Sequence, residues 1–192
     1  MDKWITHLSS DDQTLRMMAL SMLRLFGDLA RPALPALKQH LTDDDPYFRL
    51  SVAGAIGAIA PEDTEALPVL IEGLSSPVAL NRATACEFIG ERRNKSVVLN
   101  VTPLLHDDEF IVRFAAAKAI GRTFNNWLHA IAMCIGMLKN ADESKRAIGA
   151  SALFCIRRHA KRHVDLLRMA IVDAPWDVRL DIEEVIGVLS TV

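Results

Sequence analysis

Apolar and polar positions along this chain follow a helical period, and the pattern itself recurs. Between Pro46 and Ala60, the residues Leu50, Ala53, Ile56, Gly57 and Ala60 fall at the three- and four-residue spacing of one helix face. The stretch opens on Asp43-Asp44-Asp45-Pro46, where aspartate can cap free amides and proline suits a first helical turn. Pro61-Glu62-Asp63-Thr64 reads as a turn, and a second helix is predicted through Leu67, Leu70, Ile71 and Leu74. Other segments copy this layout. Phe26-Gly27, Ile56-Gly57, Ile89-Gly90, Ile120-Gly121 and Ile186-Gly187 share one slot, whereas the fifth unit carries Phe154 and its neighbours there, without glycine. Ala33-Leu34-Pro35 and Ala66-Leu67-Pro68 open second helices at matched places.

One arginine marks the period. It stands at Arg16, Arg49, Arg82, Arg113, Arg146 and Arg179, in steps of 33, 33, 31, 33 and 33 residues. Six residues before each lies a small polar side chain: Ser10, Asp43, Ser76, Asp107, Asn140 and Asp173. A fixed period of this length predicts stacked supersecondary units, each burying its apolar face against its neighbours. The chain divides into a leading half-repeat 1–8, repeats 9–41, 42–74, 75–105, 106–138 and 139–171, and a closing half-repeat 172–192, taken as one domain 1–192. The third unit is two residues short, in the turn Glu91 to Lys95, where the stack should be locally disturbed. The closing helix carries Val178, Ile182, Val185, Ile186 and Leu189, an apolar set large enough to offer a self-association edge.

The Asp…Arg pair on the first helix, the apolar residue plus glycine at its end, and Ala-Leu-Pro opening the second helix resemble HEAT repeats. The short, phycobilisome-lyase-like variety is the nearer match, and the resemblance spans nearly the whole chain. It implies an all-α fold, a right-handed α-solenoid of about six two-helix repeats. It also implies a hydrogen-bonded ladder between successive units through Asp43, Arg49, Asp107, Arg113, Asp173 and Arg179. Ser10, Ser76 and Asn140 depart from aspartate, so their rungs should lose a charge pair. The arginines are therefore expected to hold a seam rather than a ligand, since a planar guanidinium can tie several carbonyls to a carboxylate. In such arrays the second helices line the concave face. That register places Ala36, Val69, Asn100, Met133 and Leu166 in one column, and His40, Gly73, Leu104, Met137 and Ala170 in the next. Pro32, Glu65, Ser96, His129 and Arg162 form a third column.

Composition narrows the function classes. Hydrophobic residues make up 51% of the chain, yet no apolar run approaches the ~18 residues of a membrane span. The N-terminus lacks the basic start and apolar core of a signal peptide, and the three cysteines, Cys86, Cys134 and Cys155, fit neither a disulfide framework nor a metal spacing. A cytoplasmic protein is expected. The net charge of −2 is unevenly spread: −5 over residues 1–80, +7 over 81–168 and −4 over 169–192.

Candidate chemistry is thin. None of the histidines is followed by glutamate, so the His-Glu pairs of iron-binding HEAT enzymes are missing. His159 and His163 are spaced for one metal, but Arg157, Arg158, Lys161 and Arg162 around them would repel a cation. No phosphate loop and no nucleophile with a matched base is present. No catalytic, cofactor or metal residues are therefore assigned. The resemblance leaves two alternatives, a bilin-lyase-like enzyme or subunit and a nucleic-acid-binding HEAT-like protein. A sequence pI near 6.3 makes the second less favoured.

The expectation is a non-enzymatic scaffold or adaptor, of immunity type in one family-based version, gripping another protein on the concave face. Apolar contact is assigned to Trp127, Met133, Met137 and Leu166. Charge complementarity to an acidic or mixed-charge partner segment is assigned to Arg92, Arg93, Lys95, Arg157, Arg158, Lys161 and Arg162, and His129 is a further partner-contact candidate.

Overall fold

Capping chemistry decides where each helix begins. The structure is a computed structural model that describes residues 1–125, 127–143, 146, 149–150, 153, 156–172 and 174–191. Its contacts gather into two compact units, Met1–Phe124 and Asn125–Val192. Among the described residues every regular element is helical.

In the first unit, α1 (Asp2–His7) packs on α2 (Gln13–Phe26). The Asp12 carboxylate accepts from the amides of Thr14 and Leu15 at 2.8 and 3.4 Å, satisfying two donors that have no partner inside the helix. The helix stops at Gly27, whose φ of 53° is open to glycine at little cost. A 3₁₀ stretch leads into α3 (Leu34–Gln39). α4 (Pro46–Ile59) repeats the start of α2, with Asp45 capping Tyr47 and Phe48 and Pro46 at the first turn. α5 (Leu67–Gly73), α6 (Ala79–Arg92), α7 (Lys95–Val98) and α8 (Phe110–Phe124) complete the unit.

α4 lies between α2 and α6 and is buried on most sides, through Phe48, Leu50, Val52, Ala53, Ala55, Ile56 and Ile59. All five positions expected to face its neighbours, Leu50, Ala53, Ile56, Gly57 and Ala60, are buried. Its glycines make space for longer side chains from α6. A methyl group at Gly54 would meet the Phe88 ring at 2.7 Å, and one at Gly57 would meet Nη1 of Arg92 at 2.6 Å. Arg24 of α2 lies over the same Phe88 ring and pairs with Glu91 at 2.9 Å. α6 and α8 approach more closely still, since a methyl at Gly90 would sit 2.6 Å from Cα of Ala119.

The shortened third unit closes tightly. α6 ends with Arg93 in the left-handed region (φ 50°), and Asn94 then caps α7 through the amides of Ser96 and Val97. The connection is thus two residues, and the second helix of this unit continues as a 3₁₀ stretch, Leu99–His106. Pro103 inside that stretch removes an amide donor.

In the second unit, α9 (Leu128–Leu138), α10 (Arg157–Ala160), a 3₁₀ turn (Lys161–His163), α11 (Val164–Ala170) and α12 (Trp176–Thr191) surround Ile131, Leu138, Leu153, Leu167, Val178 and Ile182. α12 packs on α9 and α11. Ile182 is fully buried, with Val178 and Val185 nearly so. This corrects the expectation of an open edge at Ile182. The outward apolar residues here are instead Met169, Val172, Trp176 and Leu180. The side chain of Leu189 lies outside the described residues.

Candidate functional site

The periodic arginines bond first to their own unit. Nη1 of Arg49 donates to the carbonyls of Asp43 and Asp44, Nη1 of Arg82 to those of Ser76 and Pro77, and Nη1 of Arg113 to those of Asp107 and Asp108. Nη1 of Arg146 does the same with Asn140 and Ala141. The polar residue six positions earlier performs a second local task. Ser10, Asp43, Ser76, Asp107 and Asn140 each accept from the amide two residues on, closing the turn ahead of the first helix.

The link between successive repeats uses the next repeat's carboxylate. Arg16 reaches Asp43, and Arg82 grips Asp107 with a two-pronged contact, Nε and Nη2 each 2.8 Å from an oxygen. The Arg82 guanidinium holds the Asp107 carboxyl below the usual carboxylate range, and Asp107 in turn raises Arg82. Burial pushes the Asp43 carboxyl up, but the Asp45 amide and Arg16 more than reverse that and leave it lowered. Asp173 lies outside the described residues, and Arg179 is exposed.

The residues assigned to a partner surface separate into distinct environments. Arg92 is not free on the surface: it lies over Gly57, donates to the carbonyls of Pro61 and Asp63, and is lowered from its ordinary value by burial. It stitches adjacent units, whereas Arg93 and Lys95 on the short turn are exposed. Met133, Met137 and Leu166, expected to face solvent, are half-buried. Met137 packs where a methyl at Gly149 would meet its Cβ at 2.8 Å, so this column is partly consumed by helix packing. The side chains of His129, Arg157 and Arg158 lie outside the described residues.

Trp127 and Arg162 come together. They line a cleft of about 290 Å³ with Asn125, Leu128, His159 and His163. Trp127 precedes α9, His159 sits on α10, and Arg162 and His163 belong to the 3₁₀ turn that follows. The indole stacks on the His159 imidazole, ring centres 3.9 Å apart and 12° from parallel. Trp127 is 8% exposed, and among the described residues its buried Nε1 donor meets no acceptor. A buried indole N–H without a partner is costly, so a ligand oxygen reaching it would gain a hydrogen bond with no competing protein acceptor. Lys161 is exposed on the same turn.

In the sequence, His159 and His163 form only an unfavoured metal pair. The structure uses His159 as a stacking platform, and no group of three His, Cys, Asp or Glu side chains among the described residues could hold a metal ion. The signal available in sequence was the 32-residue separation of Trp127 and His159, close to one repeat step. Cys86 and Cys134 are buried, and burial pushes the Cys86 thiol up to about 12. Among the described residues no helix is long and apolar enough to cross a membrane.

The family model for HEAT repeats matches residues 1–80 and 67–153. Among solved structures, the complex of CpcE and CpcF of phycocyanin lyase from Nostoc sp. PCC7120 is similar to this chain, with 17% identity and a TM-score of 0.51. That match covers 98% of this chain and 94% of the other. A designed armadillo repeat protein is 18% identical, with a TM-score of 0.44 over 98% of this chain and 99% of its own. No curated protein matches the chain in sequence.

Proposed function

This chain belongs to the HEAT-repeat family, and from that premise we propose that it is a non-enzymatic scaffold that binds an acidic segment of another protein in the cleft of its second unit. The observation that carries this reading is the Trp127 indole N–H, buried with no acceptor among the described residues and beside His159, Arg162 and His163. A carboxylate entering the cleft would accept from the indole and pair with the Arg162 guanidinium. Aromatic and arginine side chains of this kind supply much of the energy at protein interfaces. Lys161, exposed on the same turn, would steer an acidic partner toward the cleft.

A fluorescently labelled peptide rich in aspartate and glutamate tests the reading by anisotropy. Trp127→Phe keeps a ring against His159 and removes only the donor, so binding should weaken about tenfold, the worth of a charged hydrogen bond. Arg162→Glu should abolish it. Equal affinity of both variants and the wild type would overturn the proposal. Stronger retention of duplex DNA or RNA than of the peptide at equal salt would transfer the cleft to nucleic acid.

A further inference from the structure

Within the first unit the arginine seam has three successive positions, and the middle one lacks its carboxylate. Arg16 pairs with Asp43, 27 residues on, and Arg82 pairs with Asp107, 25 residues on. The equivalent partner for Arg49 is Ser76. Arg49 commits Nη1 to the carbonyls of Asp43 and Asp44, as Arg82 does with its own pair of carbonyls. The edge that Arg82 turns on Asp107, Nε and Nη2, meets no carboxylate within hydrogen-bonding distance in Arg49 among the described residues. The nearest is Glu72, 4.0 Å from Nη2 and itself largely exposed.

Where the missing aspartate would stand there is open space. A cleft of about 250 Å³ is lined by Arg49, Ser76 and Asn81, with Leu50, Val69 and Gly73 forming an apolar wall. Asn81 is 6% exposed, and its amide reaches only as far as the Ser76 hydroxyl, at 3.3 Å. A polar side chain this buried on a cleft wall, beside an arginine edge with no carboxylate, forms a ready-made anion receptor.

We propose that this notch binds a single carboxylate, the side chain of an aspartate or glutamate presented by a partner protein. The ligand would stand in for the aspartate that completes the neighbouring rungs, accepting from Nε and Nη2 of Arg49 and from the Asn81 amide. The apolar wall suits the methylene stem of such a side chain. One guanidinium, with Glu72 close by and a net charge of −5 over residues 1–80, matches a monoanion better than a phosphate dianion. The site is separate from the Trp127 cleft and stands or falls independently of it.

Nuclear magnetic resonance of the arginine Nε–H groups in the full chain tests the proposal, with acetyl-Ala-Asp-Ala-amide as the probe. The Arg49 resonance, identified by its loss in Arg49→Lys, should shift saturably. The asparagine counterpart of the peptide should bind at least about tenfold more weakly. Ser76→Asp supplies the carboxylate from within the chain, so it should remain folded and lose the response. Arg49→Lys keeps the charge but not the fork, and should weaken binding measured through the Asn81 side-chain amide. Arg162→Glu should leave all of these shifts unchanged. The proposal is overturned by the absence of a saturable shift, by an undiminished response in Ser76→Asp, or by an equal response to inorganic phosphate at matched ionic strength.

Discussion

Replacing Asp107 with alanine removes two contacts at once. The first is the two-pronged pair with Arg82, in which both bonds are 2.8 Å and the side chains are only 18% and 11% exposed. Hydrogen bonds to charged groups in such settings contribute about 1.5–3 kcal/mol. The second is the turn closed by the Glu109 amide at 2.9 Å, a capping contact of about 1 kcal/mol. Partial exposure argues for the lower half of the first range, so Asp107→Ala should cost about 3 kcal/mol. Asp107→Asn retains an acceptor for Glu109 and loses the charge, and should cost about half of that. The two effects separate with pH. The folded carboxyl is held below its ordinary value, so the pair contributes fully above the unfolded pKa near 4 and is lost as pH falls through the folded value. Urea unfolding from pH 7 to pH 2.5 should therefore show the gap between wild type and Asp107→Asn closing in acid, while the Asp107→Ala gap keeps its capping component. A gap that stays constant with pH, or an alanine variant within about 0.5 kcal/mol of wild type, would refute the rung as described.

The remaining predictions use the same seam and its packing. Ser76→Asp should stabilise the chain by up to about 1 kcal/mol at pH 7, the upper range for a partly exposed pair, and the gain should vanish in Arg49→Lys by a double-mutant cycle. Gly90→Ala drives a methyl to 2.6 Å from the Ala119 backbone, which cannot yield as a side chain can, and should cost at least about 2 kcal/mol in urea unfolding. Gly136→Ala and Gly187→Ala, where an added methyl meets nothing within 4 Å among the described residues, should instead gain about 0.5–1 kcal/mol of helix propensity. Cys86, raised to about 12 by burial, should resist a thiol reagent at pH 8 and become labelled only on unfolding, as read by mass spectrometry.

Local chemistry made the architecture legible in the sequence. The matched Asp, Ser and Asn residues six before each arginine announce a turn and a helix start because their acceptor atoms reach only two or three residues along the chain. Ser10, Asp43, Ser76, Asp107 and Asn140 all close that turn in the structure. The recurring apolar face and the HEAT membership follow from the same short-range periodicity. The candidate sites were less legible, because each depends on what one unit places against another. Arg92 reads as a free cation in the chain, yet Gly57 lets it lie down against the preceding repeat, where its Nη2 donates to the carbonyls of Pro61 and Asp63. Met137 looked solvent-facing until Gly149 brought a helix onto it.

One repeated glycine slot shows the division between sequence and tertiary structure. The period predicts glycine at 27, 57 and 90 as the same position. Packing turns Gly27 into a helix stop with positive φ, Gly57 into a cradle for Arg92, and Gly90 into the point where two helix backbones meet. Ser76 likewise announces in the sequence that a charge pair is lost, since that depends on residue type alone. Only the fold leaves an open cleft beside Arg49 at that rung, because the space is defined by side chains of three helices, α4, α5 and α6, that the chain brings together across a repeat.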